Sequence, residues 1–378
     1  MRQIRDSWSL RGVLVLFALG TVRAQQPPPT FKSSVDLIRL DVTVVDDQGH
    51  PVDSLVPDDF EVRVNGTVRP VTALRYLDLG TLTTANALGA SMTSSNEPPP
   101  GGRIIVVAVD EESLPKTDNA RPLMQTIAGW IERLTPADRM SIVALPPPGI
   151  RQKFTSDKNA LTRTLYKLHA RPPSVPADRG LSGFGDNRAT TAAPRPDERA
   201  GGNQTFAGPE AFSSVSERGM LLVGIEDLAT SLAKIEGPKT LVLVTSGLGF
   251  DSGLLSRYHA IAARASQARL RVYVLQPHVG KSAASGNREE QTVDSLGDSA
   301  EGSQLLAGLT GGAVFQVVAR AQGVVERIER ETTGVYVVGL ELPEGTPRNK
   351  PLKVSVQVKR AGMTVRSPEH VIPPQRGS

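Results

Sequence analysis

Arg103-Ile104-Ile105-Val106-Val107-Ala108-Val109-Asp110 is an unbroken apolar run closed by an acid. A strand with one wet face alternates apolar and polar residues. This one does not alternate, so it reads as a strand covered on both faces, the pattern of a parallel sheet between helices. Downstream, Leu123, Ile127, Trp130, Ile131 and Leu134 recur at helical spacing. Met140 to Leu145 is a second buried strand. A short helix spans 156–169, with Leu161, Leu165 and Leu168 on one face. Residues 171–217 are rich in Pro, Gly, Ser, Asp and Arg without periodicity, and read as a disordered insertion. The alternation then resumes. Leu221, Ile225, Leu228, Leu232 and Ile235 form one helical stripe, ended by Gly237-Pro238. Strands are expected at Leu241–Thr245, Arg271–Leu275 and Ala313–Val318, with helices through Ile261 and Ala265, through Leu305 to Leu309, and over 321–332. Residues 279–301 read as a polar loop. Repeated strand–helix units predict an α/β fold with a doubly wound, mostly parallel sheet of Rossmann type.

The flanks have a different period. Leu40, Val42 and Val44 alternate with Asp41 and Thr43, and Asp46-Asp47-Gln48-Gly49 is a turn. Phe60 to Val64 alternates again and runs into Asn65-Gly66, a strong hairpin signal, with Val68 and Val71 continuing the returning strand. Near the C-terminus, Val335–Leu342 is a strand, Leu352, Val354, Val356 and Val358 alternate cleanly, and Arg360-Ala361-Gly362 turns into Met363-Thr364-Val365. A two- or three-stranded unit is marginal alone in water. The two flanks are therefore expected to pair into one small antiparallel β-sandwich. Residues 79–102 form a polar linker between the N-terminal β segment (35–78) and the α/β portion (103–333); the C-terminal β segment covers 334–368 and a tail 369–378.

The first 24 residues read as a secretory signal peptide. Arg2, Arg5 and Arg11 precede the short apolar run Gly12–Gly20, and Val22-Arg23-Ala24 places small residues before a cut after Ala24. A Pro-rich spacer (25–34) follows. Export to the periplasm or beyond is the expectation, with no later segment able to span a membrane. The leader carries a net +3 of the chain's +4, so little positive charge remains and no nucleic-acid partner is expected. Of the 378 residues none is Cys, which excludes disulfides, zinc–thiolate centres, iron–sulfur ligation and thiol catalysis. Five scattered His make a His-rich metal centre unsuited to this chain. The Asn-x-Thr sites at Asn65 and Asn203 matter only in a eukaryotic secretory pathway, and Asn65 has its hairpin to explain it.

The leader, the segment VTVVDDQGHPVDSLVPDDFEVRVNGTVRPV, the strand RIIVVAVDEES and the later LVLVTSGLG together resemble the bacterial von Willebrand factor type A-related secreted proteins, over roughly residues 35–368. The resemblance implies a von Willebrand A fold, a protein-interaction or adhesion role rather than chemistry, and a metal-ion-dependent adhesion site at the carboxyl ends of the strands. That family site is Asp-x-Ser-x-Ser after the first strand, a Thr from a middle loop and an Asp after the fourth strand. Here Asp110 holds the first place, Glu112 and Leu114 stand where the two serines are usual, and Ser246 stands where the later Asp is usual. The site is degenerate. Its candidate ligands are Asp110, Glu112, Ser113, Ser246 and Asp251, for Mg²⁺ or Ca²⁺ if an ion is held, since hard cations take oxygen donors. The simpler account is a set of solvated or helix-capping acids, with partner binding independent of metal.

Rival chemistries fit less well. Ser246 follows a strand, with His259 and His278 downstream, but Val244 and Leu248 occupy the glycine places of a hydrolase elbow. Gly247 to Gly253 is glycine-rich yet matches no phosphate-binding fingerprint. The expectation is thus a non-enzymatic chain that binds another protein through the loops Asp110–Thr117, Pro146–Arg151 and Ser246–Ser252. The alternatives are a scaffold whose binding surface is the β-sandwich and a serine hydrolase using Ser246.

Overall fold

The computed structural model describes residues 36–80, 102–111, 120–146, 151–170, 209–277, 289–317, 321–342, 346–347 and 350–373. The signal-peptide reading and the spacer lie outside these residues. Four strands come first: β1 (Asp36–Val45), β2 (Phe60–Val64), β3 (Thr67–Arg69) and β4 (Val71–Asp78). The α/β portion runs β5 (Ile104–Asp110), α1 (Ala120–Glu132), β6 (Arg139–Leu145), β7 (Arg151–Thr155), α2 (Lys158–Ala170), α3 (Pro209–Leu232), β8 (Lys239–Val244), α4 (Leu255–Gln267), β9 (Leu270–Pro277), α5 (Glu289–Thr310), β10 (Val314–Val317) and α6 (Gln322–Glu331). It closes with β11 (Gly334–Leu342), β12 (Leu352–Val358), β13 (Thr364–Arg366) and β14 (His370–Val371).

The six-stranded sheet has the order β10-β9-β8-β5-β6-β7, parallel except for β7, which runs against β6. Every residue of β5 is buried, as its unbroken apolar run requires. Its side chains still alternate between faces. Ile105, Val107 and Val109 pack with Trp130 of α1, Leu165 of α2 and Ile328 of α6. Val106 and Ala108 pack with Ile225 of α3, Ile261 of α4 and Leu306 of α5. Helices therefore cover both faces, and each large aliphatic side chain so buried contributes about 1.5–3 kcal/mol. Trp130 is fully buried.

The flanking strands form two four-stranded sheets, β13-β1-β11-β4 and β14-β12-β2-β3. N- and C-terminal segments pair directly: β1 lies antiparallel to β11, with Leu40 opposite Val338, and β2 antiparallel to β12, with Val62 opposite Val356. Ile38, Leu40 and Val42, Phe60 and Val62, Val338 and Leu340, and Val354 share one apolar cluster, so the alternating residues of both sheets turn inward together.

Five readings need correction. The helix expected from Leu221 begins at Pro209, inside the expected insertion; Pro suits a first helical turn, where no intrahelical acceptor awaits its missing N–H. Residues 289–301, expected as loop, are the first half of α5, whose polar composition conceals any stripe. Strand β7 has no counterpart among the expected strands, because its sequence, RQKFT, is polar, as a sheet-edge strand can be. The strand expected to return through Val68 and Val71 is two strands in two sheets: Pro70 lies between them, and β4 joins β11 rather than β2. Finally, the tail contains β14, too short to show a period.

Candidate functional site

Strand order places the site. From β5 the chain moves to one side through β6 and β7, then crosses to build β8, β9 and β10 on the other. Where the winding reverses, the connections beyond the two adjacent strands diverge, leaving a crevice at their carboxyl ends. The strands flanking it are β5 and β8.

Asp110 ends β5 and is 2% exposed. Thr245 follows β8 and is fully buried; its Oγ1 donates to Asp110 Oδ2 at 2.7 Å. The same hydroxyl accepts from Gly247 N at 3.2 Å, which starts the turn after the strand. Thr245 N donates to Leu275 O at 3.2 Å, and Glu111 N donates to Leu145 O at 3.0 Å, so both neighbouring strand ends hold this pair in place.

A second polar group extends the row. Ser303 of α5, fully buried, accepts at Oγ from Leu248 N (3.0 Å) and from Gln276 Nε2 of β9 (3.1 Å). Gln316 Nε2 of β10 donates to Gln276 Oε1 at 2.7 Å. Tyr258 OH of α4 donates to Gly249 O at 2.8 Å. Gly302 makes the approach of α5 feasible: a Cβ there would collide with Leu248 O and the Tyr258 hydroxyl. Polar side chains at the ends of β5, β8, β9 and β10 thus line one edge of the sheet, and the 245–251 loop is fastened from α4, α5 and β9.

The candidate ligands are only partly gathered. Asp110 lies at the crevice with Ser246, which follows Thr245 and is half-buried. Asp251 is exposed, and its Oδ1 accepts from Gly253 N at 2.7 Å, capping the turn that leads into α4. Glu112 and Ser113 lie outside the described residues, as do Leu114, Thr117, residues 147–150 and His278. Thr245 was missed by sequence reading, although it directly precedes Ser246. Its signal was being the one polar residue continuing an apolar strand.

The donor set bears on the ion. Among the described residues, no group of three or more His, Asp or Glu side chains is placed to hold a metal. At the strand ends those residues supply the carboxylates of Asp110 and Glu111 and hydroxyls, short of the six to eight oxygens that Ca²⁺ takes. The described residues alone do not fit a hard-cation site. For the hydrolase alternative, His259 sits edge-on to the His370 ring, with ring centres 5.5 Å apart. No helix among the described residues is long and apolar enough to cross a membrane.

No family model matches this chain, and no curated protein matches it. Among solved structures it is similar to the conserved hypothetical protein BatB from Bacteroides thetaiotaomicron, at 14% identity and TM-score 0.33, over 61% of this chain and 98% of that one. It is also similar to the ArnB paralog VWA2 from Sulfolobus acidocaldarius, at 10% identity and TM-score 0.32, over 89% of this chain and 76% of that one. Likenesses this distant carry no argument about the site.

Proposed function

We propose that this chain is a non-enzymatic protein-interaction module of von Willebrand A type, acting outside the cytoplasm, that meets another protein with the loops at the carboxyl ends of its parallel strands. One observation carries the reading: Asp110 and Thr245, joined by a 2.7 Å hydrogen bond, sit where the sheet reverses its winding. That position is the ligand crevice of open α/β sheets, and its use here is an analogy of fold. Two features support binding rather than turnover. The loop after β8 is pinned by hydrogen bonds from Ser303, Tyr258 and Thr245, so it presents a fixed surface. The hydrolase elbow lacks its glycines. In this reading contact is made without a resident ion, and Mg²⁺ or Ca²⁺ at Asp110, Glu112, Ser113, Ser246 and Asp251 is the competing mechanism.

A photoreactive side chain placed at exposed Ser252, on the rim of this face, provides the test. Expected are adducts with a partner that survive a chelator and weaken in Asp110→Asn. Adducts lost on chelation, together with binding heat for Mg²⁺ or Ca²⁺ that Asp110→Ala removes, would replace the metal-free mechanism with the ionic one. Adducts formed only from a probe at Gly362, in the turn between the antiparallel strands β12 and β13, would move the function to that unit.

A further inference from the structure

A cleft of about 1220 Å³ lies between helix α4 and the outer face of the sheet formed by β1, β11 and β4. It is reached from the amino-terminal side of the six-stranded sheet, since Arg269, just before β9, lines it. It is therefore separate from the strand-end crevice, and a ligand held in it is independent of the function proposed for that crevice. Small-molecule pockets fall around 300–1,000 Å³, so this cleft suits something longer.

Small side chains keep it open. Helix α4 faces it with Ser256, Ala260 and Ala263, and the sheet faces it with Ala73 and Gly339. Larger residues at these places would fill the space between helix and sheet. Ile372 and Pro373 supply apolar lining.

The charge is one-sided. Arg39, Arg264 and Arg269 line the cleft against a single acid, Glu226; Arg75 lines it too but has an interaction of its own. Glu226 is already met by Arg257 at 3.4 Å, and Arg269 by Asp41 at 2.6 Å. Arg39 is exposed, with no hydrogen-bond or ion-pair partner among the described residues. The lining thus carries an excess of positive charge beside apolar surface.

A strand edge borders the same cleft. β4 is terminal in its sheet and, among the described residues, pairs only with β11. Its residues Ala73, Leu74 and Arg75 are cleft residues. An unpaired strand edge recruits an extended chain through main-chain hydrogen bonds, with alternate side chains entering pockets.

We propose that this cleft binds an extended acidic segment of a partner protein, with carboxylates on Arg39 and Arg264 and alternate apolar side chains against Ile372 and Pro373. Complementary charge favours encounter with acidic sequences and disfavours basic ones.

The probe is a short fluorescein-labelled peptide in which glutamates alternate with leucines, titrated by anisotropy against the full chain. Saturable binding is expected, weakening as salt rises and falling on the order of tenfold or more in Arg39→Glu/Arg264→Glu. Ala263→Trp, which fills the cleft without changing charge, is expected to abolish it. Circular dichroism and melting temperature verify that both variants fold, and if the double variant does not, Ala263→Trp alone decides. The inference is overturned by absence of saturable binding, by equal binding of a lysine–leucine peptide, or by affinity unchanged in a folded variant. It is also overturned if sedimentation shows a second copy of this chain occupying the cleft, with dimerisation lost in Ala263→Trp.

Discussion

Lys239 is a cation held in an unfavourable place by its hydrogen bonds. Its Nζ donates to Gly237 O at 2.8 Å and Ala268 O at 2.7 Å, the second at the carboxyl end of α4, where a positive charge suits the helix dipole. Burial nevertheless pushes its pKa down to about 8, and neighbouring Arg269 adds to the shift, against an ordinary value of 10.5. The folded chain therefore releases this proton before the unfolded chain does. Between pH 8 and 10.5 the unfolded state binds more protons, so stability rises with pH across that window; below pH 8 the cost is borne in full. A shift of this size corresponds to roughly 3 kcal/mol at most. Urea unfolding at a series of pH values is expected to show this rise in the wild type and a flatter profile in Lys239→Met, whatever the variant's baseline. Parallel profiles would show that Lys239 is not the titrating group. No sequence pattern announced this residue: a Lys before an apolar strand reads as an exposed flank until the end of α4 closes over it.

Among the elements, the hairpin at Asn65-Gly66 was readable because backbone geometry dictates residue type there. Both residues have positive φ, 50° and 81°, as a two-residue turn between twisted strands requires. Asn65 also anchors the turn to a distant segment, since its Oδ1 accepts from Lys353 N at 3.0 Å. A Cβ added at Gly66 meets nothing within 4 Å, so Gly66→Ala tests the backbone alone. The expected loss is about 1–2 kcal/mol, read as a lower denaturation midpoint at unchanged slope. A change below a few tenths of a kcal/mol would mean that the turn relaxes into another type. Alternation likewise revealed β1, β2 and β12, because one face of each is buried. The first halves of α3 and α5 and the polar strand β7 stayed hidden, since an element without an apolar face leaves no period to detect.

Across the whole molecule, one buried carboxylate joins the two kinds of sheet. Glu331, at the end of α6 and fully buried, accepts from Arg366 of β13 (2.6 and 3.0 Å), from Arg327 (2.9 Å) and from Tyr273 OH of β9 (3.0 Å). Burial alone would raise its pKa, but the hydrogen bonds and charge of Arg366, with those of Arg327 and Tyr273, hold it below the ordinary carboxylate value. The folded state thus binds this proton less readily than the unfolded state. Its stabilising contribution is present at neutral pH and fades as pH falls through and below the usual carboxylate range. Glu331→Gln leaves Arg366 buried without its counter-charge, and is expected to cost about 3–5 kcal/mol at pH 7. The penalty should shrink toward pH 3, with melting temperature against pH as the measurement. An equal penalty at both ends would assign the loss to packing rather than charge.

The sequence by itself determined which segments are buried on one face or two, and with that the α/β class, the antiparallel flanks and Asp110 at a strand end. These are properties of local spacing, expressed in any short window of the chain. Only the tertiary structure decided that β1 pairs with β11 and β2 with β12, that Thr245 is the partner of Asp110, and that Glu331 and Lys239 are buried. Those contacts join residues far apart in the chain, and each exists only after packing has excluded water. The cleft beside α4 belongs to the same class: it is the space that small side chains leave between two elements, and no single window of sequence contains both of its walls.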